Sequence, residues 1–252
     1  MQIVGYDTGA SDDSSPALLL SERGDVTREP LDPGTELAYT LGERHCAGTF
    51  DGDVHVGCQR PDAPYCDAHT STWVCARCTG TCLKDEMDCH EAHAIYLAAF
   101  APTTFKVGVT REWRLSTRLR EQGADRAAHL RTVADGRVAR EIESELAERF
   151  PDRVRVPEKV ATLNRDVDDD AWTDALAEFD PLDTFDFDYG LDLDARPVAE
   201  TLASGTVVGT RGRVLVLERG GTTYATDMRD LVGHELDAGT TDRSLQASLG
   251  TF

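Results

Sequence analysis

The chain has 252 residues, of which 46 are acidic and 26 basic, and a formal net charge of −20. That length allows one large domain or two small ones. No apolar run approaches the ~18 residues that a membrane span needs, and no basic start with an apolar core marks a targeting segment, so a membrane partner is not expected. Only Lys84, Lys106 and Lys159 are lysines. An acidic, lysine-poor surface fits a hydrated protein in a halophilic cytoplasm, because self-repulsion is screened once the Debye length falls to about 3 Å at 1 M salt.

The charge is unevenly spread. Residues 1–105 carry 6 basic and 17 acidic groups, residues 106–165 carry 14 and 10, and residues 166–252 carry 6 and 19. The basic stretch is in the middle of the chain, which is where an anionic partner is sought.

Taken in order, residues 1–43 read as β, with short apolar runs at Gln2–Tyr6, Ala17–Ser21 and Leu37–Leu41 separated by turn-rich stretches. Residues 44–93 have little apolar periodicity and hold all seven cysteines, between Cys46 and Cys89. In a reducing compartment such crowding points to metal ligands. Cys75-Ala-Arg-Cys78 is a knuckle whose thiolates can share one tetrahedral ion, and Cys46 and Cys58 form the natural second pair of a closed, structural zinc site. Cys66-x-x-His69 with Cys82 and Cys89 makes a second set, with His90 or His93 as substitutes. The expectation is one or two zinc ions, and spacing alone does not fix the pairing.

Residues 94–164 read as β–β–α–β–α. Strands are expected at Ala94–Phe100 and Phe105–Thr110, then an Arg-rich helix, a strand near His129–Val133, an acidic helix, and an exit loop with a short extended piece over 151–164. Residues 165–200 form an acidic connector with a helix over Ala171–Phe179 and an alternating TFDFDYGLDLD run. Residues 201–252 return to β, with strands at Gly205–Gly209, Arg213–Glu218, Thr223–Thr226 and Leu231–Leu236. These form a small barrel- or sandwich-like module that the N-terminal strands are available to complete. The fold class is α+β.

AIY at 94–96 and KVG at 106–108 resemble the paired tripeptides of the GIY-YIG nuclease superfamily. Arg118-Leu119-Arg120-Glu121-Gln122 is similar to that superfamily's Arg-bearing helix, and Ile142-Glu143-Ser144-Glu145-Leu146 to its metal-binding Glu helix. The cysteine pairs, HAIYLAAFAP, KVGVT, the QGA and AREIE helices and the V-x-G-x-[RK]-G tail also resemble a haloarchaeal member of the domain-of-unknown-function 2797 family, over most of residues 44–236. The superfamily resemblance implies phosphodiester hydrolysis with one Mg²⁺ or Mn²⁺. Tyr96 would be the general base or water-positioning group, Arg118 would neutralise the phosphoryl oxygens, and Glu143 would hold the metal. Lys106 stands where the second tripeptide has Tyr; it cannot supply a phenol but can contact phosphate. Arg114 is an equally good geometric candidate for the role given to Arg118. Arg111, Arg114, Arg120, Arg126 and His129, with Arg131, would position a nucleic-acid backbone. The expected function is a zinc-binding, nucleic-acid-binding protein of GIY-YIG type, acting as a metal-dependent endonuclease. The alternative is a non-catalytic, zinc-stabilised protein-interaction module, which the loss of Tyr at Lys106 favours.

Overall fold

Short apolar runs bounded by Gly and charged turns build most of the chain as strands. A computed structural model describes residues 1–11, 14–70 and 89–239. In chain order, β1 (Gln2–Asp7), β2 (Ala17–Glu22), β3 (Asp25–Pro30), β4 (Glu36–Arg44), β5 (Thr49–Asp51) and β6 (Val54–Val56) come first. They are followed by β7 (His93–Phe100), β8 (Thr104–Arg111), α1 (Leu115–Gln122), β9 (Arg126–Val133), α2 (Gly136–Leu146), α3 (Val156–Ala161), α4 (Asp169–Leu176) and β10 (Asp183–Asp186). The last elements are β11 (Val198–Ala199), β12 (Ala203–Arg211), β13 (Val214–Arg219), β14 (Thr222–Asp227), α5 (Met228–Leu231) and β15 (His234–Ala238). The chain is therefore α+β. It divides into one unit of Met1–Thr70 with Tyr189–Phe252 and another of Ser71–Asp188.

In the first unit the strand order is β11-β14-β13-β12-β4-β15-β1-β2-β3. Both ends of the chain interleave, since β4 pairs with β12 and β15, and β15 pairs with β1. Ile3, Leu18, Leu37, Leu215, Leu217 and Met228 share its core, and burying each such side chain contributes about 1.5–3 kcal/mol. Among the described residues the edge strand β3, DVTREP, pairs with β2 alone and needs no apolar face, so its sequence gives no hydrophobic signal. Leu231–Leu236, expected as a strand, is instead the end of a helical turn followed by β15. Asp227 accepts the Arg229 backbone N–H at 3.0 Å and starts that turn.

In the second unit β7 lies between β8 and β9 in an antiparallel sheet of order β10-β9-β7-β8. All eight residues of β7 are buried, which requires a helical layer on each face. Ile95, Leu97 and Ala99 pack with Ala139 of α2 and Trp172 and Ala175 of α4. Tyr96, Ala98 and Phe100 pack with Leu115 and Leu119 of α1. Residues 151–164, expected as a loop with an extended piece, contain the helix α3. Pro157 sits in its first turn, where a missing N–H costs little, and Glu158 accepts the Arg155 backbone N–H at 3.0 Å. The Cys/His region, expected as one block over 44–93, is divided: its residues up to Thr70 belong to the first unit.

Candidate metal centre and candidate anion site

The first site grows from the end of β4. Cys46 follows that strand, the β5–β6 hairpin returns the chain to Cys58, and a turn closed by His69 N–H to the Cys66 carbonyl at 3.0 Å presents Cys66 and His69. Gly48 makes the return possible: its φ is +74°, and a Cβ there would lie 2.1 Å from the Val56 carbonyl oxygen. The ligand atoms of Cys46, Cys58, Cys66 and His69 all lie within 4.8 Å of one another. His69 Nδ1 is 3.3 Å from the Cys46 sulfur and 3.5 Å from that of Cys66. Thiolate and imidazole ligands at 2.3 and about 2.0 Å from a tetrahedral ion stand about 3.5 Å apart, so the donor set fits an ion such as zinc.

The electrostatics shift the two buried thiols in opposite directions. Burial pushes the Cys46 thiol up, against the backbone N–H groups of Cys66 and Gly48, which donate to its sulfur at 3.2 and 3.4 Å. Cys66 lies below the usual thiol value in spite of its burial, because Cys46 and the backbone N–H groups of Ala68 and His69 donate to it. Amide donors on sulfur favour the thiolates that a metal requires.

The grouping differs from the one that spacing suggested. Cys46 and Cys58 lie together with Cys66 and His69, which the spacing assigns to a second set. Cys75, Cys78 and Cys82 lie outside the described residues. Cys89 is half-buried in the second unit, and its carbonyl accepts the Gly136 N–H at 2.9 Å. His45 and His55 serve the scaffold: His45 Nδ1 donates to the Cys58 carbonyl at 2.7 Å, and the buried His55 ring bridges the Ser21 hydroxyl and the Ala47 carbonyl.

The second site is set by sheet register. Tyr96 on β7 is opposite Gly108 on β8, and Ala98 is opposite Lys106, so Tyr96, Gly108 and Lys106 share the α1 face. The Tyr96 ring lies across Gly108, where a Cβ would be 2.5 Å from the phenol oxygen. β9 has a bulge beside this point, its register stepping from Arg131 to His129 as β7 passes from Ile95 to Tyr96. Gln122, in the last turn of α1, donates to the phenol oxygen at 2.6 Å.

Burial pushes the Tyr96 phenol up, Arg118 and Gln122 oppose this, and Glu143 adds to it. Lys106 is lowered to about 8, by burial first and then by Arg118, with Arg140 acting in the same direction and Glu143 and Asp152 against it. β8 is the sheet edge, and the charge of Lys106 is affected by Arg118 of α1 and by Arg140 and Glu143 of α2. Tyr96, Lys106, Arg118 and Glu143 thus form one electrostatic cluster. The Glu143 side chain is 12% exposed and pairs with Arg140. Arg118 is half exposed and shares Glu121 with Arg114, at 3.0 and 2.9 Å. It is Arg118, four residues before Gln122, that stands beside the phenol.

The other basic candidates are dispersed. Arg111 pairs with Glu91 at 3.2 Å, and Arg120 lies 5.8 Å from the Phe187 ring. Arg126, on the strand next to the far edge, pairs with Asp169 and Asp186. His129 is buried, its ring 3.0 Å from the Thr132 hydroxyl; Arg131 is exposed. Sequence reasoning met Gln122 only as the last residue of the Arg118–Gln122 motif, without a role, and passed over Arg140. Their spacings, four after Arg118 and three before Glu143, are helical-face signals that would have marked them.

Fold and site define an α+β protein with a Cys₃His cluster able to bind a metal ion such as zinc. The model of the family described as a protein of unknown function (DUF2797) matches residues 43–189, more than half of the chain, and the chain belongs to that family. The match takes in the Cys₃His cluster and the β7–α2 segment; it does not extend over the C-terminal strands, which sequence likeness had included. No curated protein and no solved structure matches. Among the described residues no helix is long and apolar enough to cross a membrane.

Proposed function

We propose that the chain is a zinc-stabilised protein of a halophilic cytoplasm that binds a nucleic-acid backbone on a GIY-YIG-like core and hydrolyses its phosphodiester. The observation that carries this reading is that Tyr96, Gly108 and Lys106 share the α1 face of the sheet, with Gln122 on the phenol oxygen at 2.6 Å and Arg118 beside it, while the charge of Glu143 bears on Tyr96 and Lys106 from α2. Arg118 and Lys106 bind the phosphoryl oxygens and offset their charge. Tyr96, whose phenol burial keeps protonated, orients the attacking water by its O–H. Glu143 is the carboxylate available to Mg²⁺ or Mn²⁺, which supplies Lewis acidity toward the leaving oxygen when bound; one carboxylate with substrate oxygens and waters suffices for such a cation. Its pair with Arg140 must open for this, so metal should bind well only with substrate present.

The test is binding and cleavage of labelled DNA and RNA oligonucleotides in multi-molar KCl with Mg²⁺ or Mn²⁺. Arg118→Ala should lose binding, while Glu143→Ala and Tyr96→Phe should retain binding and lose cleavage. A wild-type protein that neither binds nor cuts under these conditions sinks the proposal.

A second reading has its own support. Phe50, Val54 and Val56 on the β5–β6 hairpin are 47%, 57% and 48% exposed, beside the metal cluster. A protein-interaction module would use such a hairpin. It gains if a Phe50→Ser, Val54→Ser variant loses one defined protein partner while nucleic acid is ignored.

A further inference from the structure

Between β8 and α1 the chain makes a short 3-10 turn, Glu112–Arg114, that places Trp113 at the surface. Trp113 is 72% exposed, the highest value among the large exposed apolar residues described. The ring is held by polar neighbours. Its indole N–H reaches a Glu91 carboxylate oxygen at 3.4 Å, and that same oxygen pairs with Arg111 at 3.2 Å. On its other side the Arg114 guanidinium lies 5.9 Å from the ring centroid, within cation–π range. Arg114 shares Glu121 with Arg118, which stands beside Tyr96. Trp113 is therefore linked through two guanidinium groups and one carboxylate to the candidate anion site.

An exposed Trp beside the guanidinium of Arg114, itself joined through Glu121 to Arg118, is an arrangement by which proteins take up unpaired bases. The charge of the chain gives a reason for it. At −20 overall, with Arg111, Arg114 and Arg118 already paired to carboxylates, phosphate attraction alone is a weak source of affinity, and salt weakens it further. Stacking is not screened by salt.

Resting on the proposed function above, we propose that Trp113 is the stacking platform for an unpaired base of the nucleic acid whose phosphate occupies the Tyr96–Arg118 site. The substrate class is accordingly single-stranded DNA or RNA, or an unpaired nucleotide at a junction. A continuous duplex, whose bases are hidden in the stack, does not satisfy it.

The experiment measures binding of labelled (dT)12, (rU)12 and a blunt 12-base-pair duplex to the full chain at about 1 and 3 M KCl. Stacking losses of about 1–3 kcal/mol per base correspond to roughly 5- to 150-fold in affinity. Trp113→Ala should weaken single-strand binding by about tenfold or more at both salt concentrations and leave duplex binding unchanged, and Trp113→Phe should recover most of it. The loss from Arg118→Ala should be smaller at the higher KCl concentration. Tryptophan emission should be quenched by (dT)12 in the wild type and not in Trp113→Phe. If Arg118→Ala loses single-strand binding and Trp113→Ala does not, stacking is overturned and the anion site stands. If Trp113→Ala weakens duplex and single strand alike, the base-stacking role is overturned. If the wild type binds no oligonucleotide, the underlying functional reading falls first and this inference with it.

Discussion

If the proposed function holds, the charge state of Lys106 bears directly on the anionic ligand. Its ammonium group donates to the Asp152 carbonyl at 2.9 Å, with burial, Arg118 and Arg140 disfavouring the cation and Glu143 and Asp152 favouring it. With the balance at about 8, the free protein loses this cation as pH rises through 8. Oligonucleotide affinity should therefore fall between pH 7 and 9, and Lys106→Arg, which remains charged, should flatten the decline; anisotropy titrations across that range would show it. A variant with the wild-type profile would remove Lys106 from the site. The stability linked to the same group runs the opposite way. Between about 8 and the unfolded value of 10.5, the unfolded chain binds the proton that the folded chain lacks, so stability rises with pH in that window. Gly108 offers a complementary test. A methyl group there would stand 2.5 Å from the Tyr96 phenol oxygen, so Gly108→Ala must displace the ring. We expect cleavage to fall as far as in Tyr96→Phe, with a stability loss of about 1–3 kcal/mol seen in urea unfolding, the usual cost of overpacking. Unchanged cleavage would show that the phenol position is immaterial.

At the scale of elements, the Cys46–Thr70 segment has few apolar residues in a core: of its side chains only Ala47 joins the buried cluster of the first unit. Its order then depends on the ligand cluster. Cys66→Ser should lower the zinc bound per chain by about one equivalent, and hydrogen exchange should quicken from Cys46 to Thr70 while β7 remains protected, because the packing of β7 involves none of the four ligands. Loss of zinc without a change in exchange would mean that the segment is held by its backbone bonds. The same contrast explains what could be read in advance. β7 was legible because HAIYLAAF is apolar on both faces, and α1 and α2 because apolar residues recur at helical spacing. β3 was not legible because an exposed edge strand needs no apolar side chain, nor α3, whose Pro157 sits where helix starts and loops look alike. Cys46 and Cys58 were recognised as partners through the Gly-rich hairpin between them. Their union with Cys66 and His69 was not, because it depends on where the chain from Cys58 to Cys66 turns back, and Cys75-x-x-Cys78 gave the stronger local signal. The meeting of Tyr96, Lys106 and Gly108 follows from a strand register that the paired tripeptides only hinted at.

At the scale of the whole molecule, charge acts in opposite directions in the two units. Residues 1–70 and 189–252 together carry 22 acidic and 10 basic groups, so the field acting on the first unit is largely self-repulsion. In the second unit, residues 166–188 carry 10 acidic groups and no basic ones, but they lie against the basic stretch. Arg126 pairs with Asp169 and Asp186, and Arg149 with Glu178. Salt that screens repulsion in the first unit also screens these attractions in the second. Raising KCl from 0.2 to 2 M should therefore slow hydrogen exchange in β4, β12 and β15 more than in β9 and β10. Any general salting-out contribution strengthens burial in both units and cancels in the comparison. If β9 and β10 gained as much protection as β4 and β12, the acidic stretch would be acting only as a solvation coat, and its ion pairs with the core would contribute nothing to the fold.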